Sequence, residues 1–110
     1  MIDCTNGAIG IAYSSTEYVL VPRIKAFATT SPDAQVSVTT FAVDFAFLAR
    51  GHDPISSDWH AGEWADESTA RFLFSPDELN LDLGTIYRVW LRITGAVETP
   101  VHEVGAIRIV

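Results

Sequence analysis

The chain has 110 residues, of which 48% are hydrophobic and 19% charged. That length and balance point to one globular domain, residues 1–110, with enough chain for a two-layer core and too much apolar content to stay disordered. Fourteen acidic residues against seven basic ones give a formal net charge of −7, which repels phosphate backbones and anionic membrane surfaces and so argues against nucleic acid or membrane as partner.

The N-terminus shows neither a positive n-region nor a long apolar run, and no segment approaches the roughly 20 apolar residues of a bilayer span. The expectation is a soluble protein outside the general secretory route. Cys4 is the only cysteine, so no internal disulfide forms. It reads as a small buried hydrophobe, since the neighbouring Asp3 opposes a thiolate. A single thiol is compatible with folding in a reducing cytoplasm.

"AIGIAY" and "YVLVPRIKAF" read as two strands, the second placed at an edge or bent at Pro22, which cannot donate to a ladder. "TTSPDAQ" reads as the turn that follows. "VSVTTFAVDFAFLA" alternates with period two, so Phe41, Val43, Phe45 and Phe47 share one face and form the best core wall in the chain. "ARFLF" is another short strand. "SPDELNLDLG" reads as a turn holding one helical turn, with Ser75 as cap and Pro76 at its first position.

"IYRVWLRIT" is the second clear strand. Tyr87, Val89, Leu91 and Ile93 take one face, and Arg88, Trp90, Arg92 and Thr94 the other. "GAVETP" supplies a turn or a crossing, and "GAIRIV" a final strand. The fold class expected is therefore all-β: an antiparallel, immunoglobulin-like β-sandwich of about seven strands with little helix.

The segment "DWHAGEW" places Trp59 and Trp64 around His60 and Glu63. Their odd spacing puts the indoles on opposite faces of a regular strand, unless Gly62 bulges it and re-aims one ring. Core closure by large aromatics is the expected role, with one ring at an interface as the alternative. The acid-rich surroundings, Asp53, Asp58, Glu63, Asp66 and Glu67, mark no particular carboxylate pair for acid–base work. His52, His60 and His102 lack the spacing of a zinc-binding helix, and the acidic residues lack the order of a calcium loop. No nucleophile elbow, P-loop or dinucleotide fingerprint is present. The expectation is a protein that is not an enzyme, with no catalytic residue, cofactor or metal. Its candidate interface is Arg88, Trp90 and Arg92, with Trp59 and Trp64.

The order of landmarks adds a resemblance. "SSTEYVLVPR", "FAFLARG", "SSDWHAGEW", "ARFLFSP" and "LGTIYRVWLRITGAVETPVHEVGAIRIV" follow one another along nearly the whole chain. The series resembles small immunoglobulin-like virion structural proteins, head accessory or minor structural proteins, of tailed bacteriophages and prophages of actinobacterial hosts. The C-terminal part is similar to the sandwich domain at the start of baseplate upper proteins. The resemblance implies a non-enzymatic structural protein, made in the host cytoplasm and located in the virion. It implies a capsid decoration or head accessory subunit that binds the particle surface in many copies. Its partners would be the major capsid protein or tail and connector proteins, with self-association on the particle. One alternative is a tail, baseplate or head–tail connector component. Two others lie in different classes: a carbohydrate-binding β-sandwich using Trp59 and Trp64 as sugar platforms, and a small hydrolase on the acidic loop.

Overall fold

The computed structural model describes residues 2–5, 8–24, 26–28, 31–36, 38–95 and 99–110. Among them run β1 (Ile2–Asp3), β2 (Ala8–Ile11), β3 (Glu17–Val21), β4 (Ala26–Ala28), β5 (Ser31–Val36) and β6 (Ala42–Ala49). They are followed by β7 (His60–Ala61), β8 (Glu63–Trp64), β9 (Ala70–Phe74), β10 (Ile86–Thr94) and β11 (Val101–Ile109). Helix among these residues is confined to two short 3-10 turns, Val38–Thr40 and Ser56–Asp58.

The fold is an all-β sandwich. A four-stranded sheet in the order β1-β3-β9-β8 packs on a five-stranded sheet in the order β2-β11-β10-β6-β7. Both sheets feed one core, with Val19, Val21, Ala70 and Phe74 from the first and Val43, Phe45, Phe47, Val89, Leu91 and Ile107 from the second. Tyr87, near the start of β10, accepts a 2.7 Å hydrogen bond on its hydroxyl from the Asp82 backbone N–H. A tyrosine tied back to the preceding turn in this way marks immunoglobulin-type sandwiches, as does the strand order. The sandwich is not wholly antiparallel as expected: β1 runs parallel to β3 over two residues, and β2 runs parallel to β11 over four.

The two long strands follow their alternation. β10 spans Ile86–Thr94, and its Tyr87, Val89 and Leu91 are buried while Ile93 packs partly buried against the core. Its register on β6 sets Val89 opposite Phe47, Leu91 opposite Phe45 and Ile93 opposite Val43. Phe47 meets Phe74 of the other sheet edge-on at 4.7 Å, and Phe45 lies 5.8 Å from Phe72. Aromatic contacts thus join the layers.

Four expectations from the sequence need correction. Phe41 does not share the strand face of Val43, Phe45 and Phe47. Its N–H bonds the Val38 carbonyl at 3.0 Å, so a 3-10 turn holds it and β6 starts at Ala42. "TTSPDAQ" is not all turn, since Ser31–Val36 forms β5, paired with β4. A two-stranded ribbon has a free edge on each strand, and there a proline such as Pro32 is tolerated. Pro22 lies beyond the end of β3 rather than within it, and Arg23 follows in the left-handed region at φ 62°. The last strand begins at Val101, not Gly105, because the β10 ladder holds the polar stretch Val101–Glu103 in register despite its lack of apolar alternation.

Two glycines mark close approaches. A Cβ on Gly105 would stand 2.0 Å from the Cys4 carbonyl oxygen, and one on Gly62 2.7 Å from the Phe45 ring. Cys4 is fully buried, and burial, aided by the Asp3 charge, pushes its thiol up to about 12. An inert core thiol is what that environment produces.

The ribbon β4–β5 stands apart. It forms its own two-stranded sheet, and among the described residues no strand of either larger sheet pairs with it. The molecule measures 46 × 26 × 21 Å. Nine-residue strands account for only about 30 Å of the long dimension.

Candidate functional site

The outward row on β10 is the starting point, because its residue types are unusual for a solvated sheet face. Arg88, Trp90 and Arg92 alternate with the buried Tyr87, Val89 and Leu91. Their neighbours on β6 are Leu48, Ala46 and Asp44. Arg92 donates from Nε and Nη2 to Asp44 Oδ2 at 3.1 and 2.9 Å. Its guanidinium also lies 4.7 Å from the centre of the Trp59 ring. Ion pair and ring together occupy this cation on a partly covered surface. Ala46, on the same outward face, is fully buried, so this part of the face is not open to solvent.

The other end of the row is different. The register between β10 and β11 slips between Val89 and Trp90, leaving Trp90 opposite Glu103. Such irregularities re-aim side chains. Trp90 is half-buried, and its Nε1 is buried without a hydrogen-bond partner among the described residues. Beside it an open cleft of about 400 Å³ is lined by Arg50, His52, Asp53, Arg88, Trp90 and Glu103. Arg88 and Glu103 approach to 3.6 Å, and both are substantially exposed. Gly51, at φ 89°, makes the tight turn after β6 that carries Arg50, His52 and Asp53 to the cleft.

The tryptophan segment divides between the layers. His60 and Ala61 pair with β6 of one sheet, whereas Glu63 and Trp64 pair with β9 of the other. Gly62 is the step between them, its N–H bonded to the Val43 carbonyl at 2.8 Å. Trp64 packs on the core, and its indole N–H donates to the Phe41 carbonyl at 2.9 Å. Trp59 lies outside, against Arg92. The two rings therefore do not form a common platform.

The acidic residues around them are dispersed. Asp58 accepts the Ile55 N–H at 2.9 Å, and Glu63 pairs with Arg71 at 2.7 Å. Asp66 accepts the Ser68 N–H, and hydrogen bonds from Ser68 and Thr69 hold its carboxyl below the ordinary carboxylate value. Among the described residues no three His, Cys, Asp or Glu side chains converge as metal ligands.

Of the five candidate interface residues, only Arg88 and Trp90 border a cleft. Arg92 and Trp59 hold each other, and Trp64 belongs to the core. The sequence reading missed Arg50 and Glu103, and weighed His52 and Asp53 only as metal or acid–base candidates, not as neighbours of Trp90. The compact "ARGHD" turn after the phenylalanine strand was the available signal for Arg50, His52 and Asp53. Comparison with protein-family models, curated proteins and solved structures returns no match.

Proposed function

We propose that the protein is a virion structural subunit of a tailed phage, a capsid decoration or head accessory subunit that binds the particle surface in many copies. The observation that carries this reading is the β4–β5 ribbon, whose strands, among the described residues, pair with each other and with no strand of either larger sheet. A two-stranded ribbon alone is marginally stable in water, and its free edges are templates for pairing with another chain. A neighbouring virion protein supplies the missing third strand or face. The net charge of −7 keeps free subunits apart until a particle surface collects them. The order of sequence landmarks along nearly the whole chain supports the same reading. So does the placement of Trp64 and Arg92 in structural contacts rather than in a reactive pocket.

The experiment is to purify phage particles from cells carrying this gene, probe them by mass spectrometry, and label them with gold-tagged antibody. Label spread over the heads is the expected outcome. Label confined to the tail or to the head–tail junction would transfer the reading to a tail, baseplate or connector component. Complete absence from purified particles would overturn it.

A further inference from the structure

We propose that the cleft beside Trp90 is a binding site for a neutral, hydroxyl-rich ligand, a saccharide. The inference goes beyond the structural role and uses a different surface from the ribbon. Its first support is the indole N–H of Trp90, which is buried and has no partner among the described residues. A buried donor without an acceptor is uncommon in a folded protein and calls for an explanation. The ring lines the adjacent cleft, so a ligand oxygen reaches this N–H when the side chains covering it move aside.

The second support is the charge pattern of the lining. Arg50 and Arg88 bring two cations, and Asp53 and Glu103 bring two carboxylates. Among the described residues Arg50 and Asp53 enter no ion pair, while Arg88 and Glu103 meet only at 3.6 Å. The formal charges cancel, so a simple anion or cation gains little here. A sugar hydroxyl both donates and accepts. It can donate to the Asp53 and Glu103 carboxylates while accepting from Arg50, Arg88 or the Trp90 N–H.

The third support is shape. The cleft holds about 400 Å³ and is open on one side, within the range of small-molecule sites and accessible to the end of a longer glycan. Its floor comes from β10 and β11, paired strands that fix the donors in place.

The test uses the whole ¹⁵N-labelled protein, whose three tryptophans give three indole N–H resonances. The Trp90 resonance is assigned by its loss in Trp90→Phe. A panel of neutral monosaccharides and oligosaccharides is then titrated, with a neutral Gly-Ser peptide as control. The expected result is a saturable shift of the Trp90 indole by at least one sugar, with Trp59 and Trp64 unmoved. Asp53→Asn with Glu103→Gln should weaken that sugar about tenfold, as expected for loss of hydrogen bonds to charged groups. Absence of any saturable shift with the sugars would overturn the proposal. So would equal shifts at all three indoles, binding untouched by the double variant, or a response to the peptide alone.

Discussion

Trp64 and Trp90 are the same side chain in two opposite situations. Trp64 fills the end of the core, and its N–H is satisfied by the Phe41 carbonyl at 2.9 Å. Trp90 sits on the outward face of the central strand, and its buried N–H has no partner. The first ring stabilises the fold in both respects, by burial and by hydrogen bond. The second gains burial but, among the described residues, finds no hydrogen-bond partner. The difference teaches that an aromatic residue's role is read from what its polar atom meets, not from its exposure alone.

The largest effect belongs to the core that Trp64 closes. Phe45 is fully buried between the sheets, and Phe45→Ala should cost about 3–5 kcal/mol through lost transfer energy and the cavity left behind. A denaturant midpoint equal to that of the parent would show that this side of β6 is not the core.

Alkaline pH probes the same interior at Cys4. The ordinary thiol value is 9.0, and burial raises the folded one to about 12. Above pH 9 the unfolded chain releases the proton while the folded chain keeps it, so the unfolded state binds fewer protons. Stability contributed by Cys4 is therefore complete below pH 9 and declines as pH rises toward 12. Denaturant titrations across that window should show a steeper decline in the parent than in Cys4→Ala, where this contribution is gone. Equal slopes would mean that the thiol is accessible in the folded protein.

The smallest effect sharpens the comparison most. Trp64→Phe leaves the Phe41 carbonyl without its donor and should cost about 1 kcal/mol beyond the change in packing. Trp90→Phe removes an N–H that has no partner, so its polar contribution should be neutral or stabilising. The two substitutions are chemically identical, and thermal melts of both variants give the contrast directly. Equal losses would mean that the Trp90 N–H has an acceptor within the folded chain.

Strand β10 was legible because nine consecutive residues alternate without a break, and tertiary contacts only reinforced them. The sandwich followed from several such runs separated by turn residues. The ribbon was illegible because threonine, serine, proline and aspartate in "TTSPDAQ" are turn formers by composition. Only the pairing of Ser31–Val36 with Ala26–Ala28 makes them a strand. At the candidate site, Arg88 and Trp90 stood out on one strand. Glu103 did not, because it reaches Trp90 only through a register slip between β10 and β11. The fate of Arg92 was also hidden, since Asp44 and Trp59 come to it from two other segments. Local periodicity carries the strands, whereas a site assembled from a turn, a register shift and a neighbouring strand appears only in the folded chain.

Assembly through the ribbon is the central claim, and retention on particles tests it most directly. The tagged parent and a variant with residues 26–36 replaced by a short Gly-Ser linker are mixed with particles lacking this protein, then sedimented and counted. Thermal melts of both proteins check that the replacement leaves the sandwich folded. The expected result is many copies of the parent retained per particle and a loss of most of that binding in the ribbon variant. Equal retention of the two proteins would contradict the claim.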